Sequence, residues 1–154
     1  EPVGDIIVKS SKLRPINFPK KEITSTLDEI PILMTIASMI PGCSHFKNIG
    51  ILRGKETDRI KKMSENLKAF GVRTTVTKDS MKVYGENPKI FSQNKRVRIK
   101  TTLDHRIQMC AVIRAVCGGQ NAIINGCETI RTSFSNFFLL LKKIGVKFKY
   151  EIKK

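Results

Sequence analysis

The feature that most constrains this chain is an internal repeat. Asp28 opens an apolar-periodic stretch, Asp28–Ile40, that ends at Gly42, and Gly50 follows eight residues later. Asp104 opens a second stretch, Asp104–Val116, that ends at Gly118, and Gly126 again follows eight residues later. The offset between these copies is 76 residues. Further along, the block Leu67–Val72 has its counterpart in Leu141–Val146, where the offset shortens to 74. Self-similarity at a fixed period means one supersecondary unit used more than once, so a mixed helix and strand unit in two copies is expected.

Periodicity and punctuation give both copies the same order. Strands are expected at Asp5–Ser10 and Arg96–Lys100, followed by helices from Asp28 and Asp104, where an acid suits an N-cap and Pro31 is tolerated. Second strands fall near Cys43–Ile49 and Asn121–Ile124, and second helices at Glu56–Phe70 and Thr132–Ile144. Strands at Val72–Thr77 and Met81–Tyr84 close the first copy, and a single strand at Lys147–Ile152 closes the second. Gly71 and Gly145 stand where a helix C′ glycine belongs. The fold class is α/β (α+β), built from β-α-β-α-β-β units at residues 5–85 and 96–154, the second cut short.

Length and composition bound the function. At 154 residues one domain is expected, with a core that removes about 68–70% of the unfolded surface from water. No apolar run approaches the roughly 20 residues of a membrane span, and no basic, then apolar, signal sequence opens the chain. The first residue is Glu1, which fits a chain that begins inside a longer gene product. Cys43, Cys110, Cys117 and Cys127 follow neither a disulfide framework nor a metal-site spacing, so reduced thiols in a cytoplasmic protein are expected. Cys110 and Cys117 share the i, i+7 face of one helix, which suggests that both are buried.

Twenty-nine Lys and Arg against thirteen Asp and Glu give a net charge of +16. Such an excess fits a nucleic-acid binder, a site for small anions, or a lysine-rich solvated surface. The charges are spread along the chain, and only Tyr84 and Tyr150 add to the phenylalanines as stacking aromatics, so the nucleic-acid reading is the weaker one.

Helix N-termini attract anions through free N–H groups and a partial positive charge. The densest mixed-charge motifs stand at those ends: Asp28-Glu29, the run Arg53–Arg59, and Asp104-His105-Arg106. Repeat-related helix ends are expected to emerge on one side of the domain. A plain N-cap at Asp28, a solvated pair at Lys55 and Glu56, surface arginines and a structural His105 are the alternatives to a site.

The blocks Lys55–Arg59, Leu103–Ile107 with Met109, Asp28–Pro31, Thr132–Phe134 with Phe137, and the opening Glu1–Ile6 resemble the signature blocks of the shikimate-pathway enolpyruvyl transferases, in order and over essentially the whole chain. The resemblance implies an enzyme with two domains of three such units each, substrates in the cleft between them, and no metal or organic cofactor. This chain is similar to the C-terminal part, about two of the three units of one domain. The implied reaction moves the enolpyruvyl group of phosphoenolpyruvate to the 5-hydroxyl of shikimate 3-phosphate and expels phosphate. The implied partners are those two substrates and the missing N-terminal part of the same enzyme, with neither nucleic acid nor membrane; the full-length enzyme is expected to be a monomer.

By the same resemblance Asp28 is the general base and a contact to the 5-hydroxyl, and Glu56 is the proton shuttle to the methylene carbon. Arg59 and Arg106 hold the phosphoenolpyruvate anion, Lys55 adds a point charge, and His105 is a hydrogen-bonding partner. Relatives carry a lysine in a Lys-[Thr/Ser]-Phe-Pro block where this chain has Thr132, with Arg131 one residue earlier and Ser135 in place of proline. Two other readings remain at this point: the cell-wall sibling that acts on a UDP-amino sugar (UDP-N-acetylglucosamine), and a basic nucleic-acid-binding module. A fragment with one unit missing is also expected to expose apolar surface and self-associate.

Overall fold

The structure, a computed structural model, describes residues 3–87, 96–149 and 151. It is a mixed α and β fold. The order is α1 (Ile30–Ala37), β1 (Gly42–Phe46), α2 (Arg59–Ala69), β2 (Arg73–Val76), β3 (Met81–Gly85), β4 (Val97–Lys100), α3 (His105–Cys117), β5 (Ala122–Asn125), α4 (Ile130–Ser133) and α5 (Phe137–Lys143). A 3-10 turn at Gly50–Gly54 links β1 to the approach of α2. Strand β3 lies between β1 and β2, antiparallel to both, with Lys82 opposite His45 on one side and Thr75 on the other. Strands β4 and β5 pair in parallel, with Ile99 opposite Ile124.

One apolar core joins the two halves. Ile30 and Met34 from α1, Ile60 and Met63 from α2, and Ile107 and Ala111 from α3 meet Phe46, Met81 and Val83 from the three-stranded sheet and Ile99 from β4. Ile30, Met34, Ile60 and Ile107 are fully buried, which contributes about 1.5–3 kcal/mol each. Helices α1 and α3 pack against each other across this core, and Arg106 in the first turn of α3 reaches Asp28 just before α1, so their N-termini are neighbours. Ile130, Phe137 and Leu141 form a smaller cluster under α4 and α5.

The helix ends follow the expected chemistry. Gly71 and Gly145 adopt φ of 87° and 89°, and Val72 and Val146 donate back to Leu67 and Leu141, which satisfies carbonyls that the helices leave open. Asp104 caps α3 by accepting from the Arg106 and Ile107 amides, and Asp58 caps α2 by accepting from the Lys61 amide.

Several elements depart from the sequence reading. Residues 5–10 form no strand, and Ile6, Ile7 and Val8 are 82–89% exposed. A strand exists only where its backbone groups find a partner, and no described strand pairs with this segment. The chain that does lie beside β1 is Ile16–Phe18: the His45 amide donates to Ile16 and the Phe18 amide to His45, bridging in parallel as β4 does with β5. The helix expected at Thr132–Ile144 is two helices. Phe134 leaves helical geometry at φ −143°, Ser135 and Asn136 favour a turn over helix, and the Phe134, Phe137 and Phe138 rings pack at 5.3–5.7 Å through that turn. Residues 147–149 and 151 form no strand, and the rest of the expected strand to Ile152 lies outside the described residues. Cys110 is buried as expected, but Cys117 ends α3 and is exposed. Among the described residues no helix is long and apolar enough to cross a membrane.

Candidate active site

Two arginines occupy the first turns of neighbouring helices. Arg59 is the first residue of α2, fixed by the Asp58 cap, and Arg106 is the second residue of α3, fixed by the Asp104 cap. A cation at a helix N-terminus works against the macrodipole, so each guanidinium needs anions close by. The chain supplies three carboxylates.

Arg59 is the centre of the arrangement, with a side chain only 1% exposed. Its Nε donates to Asp104 Oδ2 at 2.9 Å, its Nη1 to Asp28 Oδ1 at 3.1 Å, and its Nη2 to Glu56 Oε2. Arg106 approaches from the other helix. Its Nη2 donates to Asp28 Oδ2 at 3.1 Å and its Nη1 to the Asp28 carbonyl at 3.2 Å. Asp28 therefore bridges both guanidiniums, one carboxylate oxygen to each. Thr57 Oγ1 donates to Asp104 Oδ2 at 3.1 Å and completes the network.

The loop that carries Lys55 and Glu56 is anchored from behind. Arg53 donates from Nε to the Lys78 carbonyl and from Nη2 to the Thr77 carbonyl, and its Nη1 pairs with Asp58. One side chain thus ties the 3-10 turn, the β2–β3 hairpin and the cap of α2 together. Glu56 lies in the turn before α2, so its pairing with Arg59 replaces the helical start that the sequence suggested.

Asp28 is not a helix cap. The N-cap of α1 is Glu29, whose side chain makes no cap bond, and the Asp28 carboxylate goes wholly to the arginines. Burial pushes its pKa up, but the Arg106 charge, the Arg59 hydrogen bond and the Lys55 charge outweigh that and hold it below the ordinary carboxylate value. It is a carboxylate at neutral pH, able to accept a proton-bearing group. For Arg59, burial pushes down while the hydrogen bond and charge of Asp104, then Glu56 and Asp28, raise it further, so it is always charged.

Exposure separates the carboxylates into two kinds. The Asp28 and Glu56 side chains are 45% and 52% exposed, whereas Asp104 is fully buried. Asp28 and Glu56 thus meet solvent on the outer side of Arg59, whereas Asp104 closes its inner side.

Of the residues singled out in the sequence, Asp28, Glu56, Arg59 and Arg106 are joined in one hydrogen-bonded network, and exposed Lys55 acts on Asp28 through its charge. His105 is the first residue of α3 and half-buried, and the bonds of the network do not include it. Arg131 lies on α4 and is exposed. Asp104 and Thr57 stood inside the quoted motifs without a role in the site. The local sequence does not separate Asp104 from Asp28: both end the same triplet, Thr26-Leu27-Asp28 and Thr102-Leu103-Asp104, yet only the second caps a helix.

Comparison with known proteins identifies the family and the fold. The family model of EPSP synthase (3-phosphoshikimate 1-carboxyvinyltransferase) matches residues 1–141. The chain is 38% identical over 136 residues to the 3-phosphoshikimate 1-carboxyvinyltransferase of Clostridium tetani, covering 88% of this chain and 30% of that protein. It is 38% identical over 149 residues to that of Zymomonas mobilis, covering 96% of this chain and 33% of that protein. An EPSP synthase structure from Acinetobacter baumannii superposes with a TM-score of 0.74 at 26% identity, over 92% of this chain and 32% of that one. The enolpyruvyl transferase NikO from Streptomyces tendae shares the fold, with a TM-score of 0.64 at 16% identity. The chain spans about a third of the length of the curated relatives it matches. With the family model matched over residues 1–141, the chain belongs to the EPSP synthase family.

Proposed function

We propose that this chain works as part of an enzyme that transfers the enolpyruvyl group of phosphoenolpyruvate to the 5-hydroxyl of shikimate 3-phosphate and releases phosphate. The observation that carries the reading is the convergence of Arg59 and Arg106 on Asp28, with Glu56 on the remaining edge of Arg59. Two guanidiniums and the Lys55 ammonium suit a substrate that has both a carboxylate and a phosphate. His105, beside Arg106, adds a hydrogen-bonding group.

In this reading Asp28 accepts the proton of the 5-hydroxyl as its oxygen bonds to C2 of phosphoenolpyruvate, while Glu56 gives a proton to C3 and turns the methylene into a methyl. Loss of a proton from that methyl then restores the double bond as the C2–O bond to phosphate breaks. Each proton transfer contributes about 10²–10⁴-fold. The reaction calls for no metal and no organic cofactor.

We read residues 5–85 and 96–154 as about two of three related units of one domain. The parallel approach of Ile16–Phe18 to β1, like that of β4 to β5, supports this. The rest of the enzyme would supply the opposite wall of the cleft and cover apolar side chains such as Leu139 and Ile144, which are 53% and 75% exposed. We take the full-length enzyme to be a cytoplasmic monomer, in keeping with four free cysteines.

The test is phosphate release from phosphoenolpyruvate and shikimate 3-phosphate, by this chain alone and mixed with the preceding two-thirds of the polypeptide. Activity only in the mixture, lost in Asp28→Ala and Glu56→Ala, is the expected result. Equal activity with a UDP-amino sugar as acceptor would redirect the reading to the cell-wall sibling. No release in the mixture, with both pieces folded, would sink the reading.

A further inference from the structure

We infer that Asp104, seconded by Thr57, is a positioning residue that aims Arg59 and Arg106 together at one bound anion. Its fully buried carboxylate divides its two oxygens between two helices. Oδ1 accepts from the Arg106 amide at 3.1 Å and the Ile107 amide at 3.4 Å, which sets where α3 begins and hence where Arg106 starts. Oδ2 accepts from Arg59 Nε at 2.9 Å and from Thr57 Oγ1 at 3.1 Å, which fixes the plane of the second guanidinium. One carboxylate therefore sets the spacing of two cations that belong to different helices.

The division of labour follows from exposure. Arg59 presents three edges, and Asp28 and Glu56 meet two of them from half-exposed positions. The Nε edge alone is held by a group that solvent never reaches. When an anion takes over the outer edges, only this inner bond keeps the fork from turning. Arg59 has several side-chain torsions to fix, and a held guanidinium loses less freedom on binding. Thr57 keeps the second acceptor site of Asp104 Oδ2 occupied and so favours one rotamer of the carboxylate.

This inference rests on the reading of Arg59 and Arg106 as ligands of the phosphoenolpyruvate anion. It is tested on the 154-residue chain with the arginine Nε–H signals in NMR, using Thr57→Val and Asp104→Asn. Asn keeps an acceptor for the α3 cap, and Val leaves that cap untouched, so thermal unfolding serves as a check on folding. The expected result is a slowly exchanging Arg59 Nε–H in the unsubstituted chain that exchanges faster in both variants. Phosphoenolpyruvate titrated against the Arg59 and Arg106 signals should then bind about two- to tenfold more weakly in Thr57→Val, at an unchanged unfolding midpoint.

An Arg59 signal equally protected in both variants overturns the inference. So does a loosened Arg59 with undiminished phosphoenolpyruvate binding, and so does the absence of any shift of either arginine with phosphoenolpyruvate. Failure of the reconstituted mixture to release phosphate bears on the transferase reading alone, because these signals decide the positioning role without turnover.

Discussion

Arg59 and Asp104 form an ion pair in which neither side chain meets water: the guanidinium is 1% exposed, the carboxylate 0%, and Nε stands 2.9 Å from Oδ2. Breaking such a pair from one side leaves an uncompensated charge in the interior, which costs about 3–5 kcal/mol. Arg59→Ala is therefore expected to destabilise the chain by that amount in urea unfolding. Arg59→Lys keeps the charge but loses the fork, so its cost should be smaller while binding of the anion still suffers.

Asp28 predicts the opposite balance. It is about half exposed, caps no helix, and leaves Arg59 with Asp104 and Glu56 when removed. Asp28 is half exposed and Arg59 keeps two other carboxylates, so Asp28→Asn should cost about 1 kcal/mol, well below Arg59→Ala. Phosphate release in the reconstituted enzyme should nevertheless fall about 10²–10⁴-fold. A large stability loss with modest loss of turnover would reverse the roles of Asp28 and Asp104.

The pH dependence of stability follows from the lowered pKa of Asp28. Burial raises it, and Arg106, Arg59 and Lys55 more than compensate, so the folded chain holds this proton less tightly than the unfolded one. Where the unfolded state binds more protons, stability rises with pH. The Asp28 contribution is thus complete above the ordinary carboxylate pKa of about 3.9 and disappears as pH falls through the folded value. Unfolding midpoints of the unsubstituted chain and Asp28→Asn should differ most near neutrality and converge on acidification. Divergence on acidification would mean that the Asp28 pKa is raised.

Much of the fold was legible because period and punctuation are local signals. The Schellman ends at Gly71 and Gly145, the acid before α3, and the strands β2, β3, β4 and β5 sit within a few residues of expectation. The strand miss is non-local. Ile6–Val8 is an unbroken β-branched run that reads as a strand but has no described neighbour, while the short Ile16–Phe18, set between Pro15 and Pro19, lies beside β1. The break at Ser135-Asn136 was missed although those residues favour a turn locally, because the apolar run on either side reads as one helix; the Phe138–Phe148 contact that packs against α5 is visible only in three dimensions. In the site, the mixed-charge motifs marked the helix ends and the family resemblance singled out the arginines and Asp28, but no spacing could tell that Arg59 lies inside the protein against Asp104 while Arg106 is 35% exposed.

The cysteines give a way to watch the site's scaffold open. Cys43 and Cys117 are exposed, whereas burial pushes the Cys110 thiol up to about 12 and the Cys127 thiol up to about 11. The thiolate is the nucleophile, so at pH 8 only a minute fraction of buried Cys110 or half-buried Cys127 is reactive even before access is considered. Treatment with an aromatic disulfide reagent should consume two thiols quickly and two at least about tenfold more slowly, all four reacting together in denaturant. Cys110 lies on the face of α3 packed against α1, beside Thr35, beneath the helix ends that bear Arg106 and Asp28. Its labelling requires those helices to part, so its rate reports local opening of the arginine–carboxylate network. Arg106→Gln removes a charge that lowers the Cys110 pKa, so electrostatics alone would slow this thiol. Faster Cys110 labelling with Cys43 and Cys117 unchanged is expected and would therefore report opening, and an unaltered or slower rate would mean that the network does not hold α1 and α3 together.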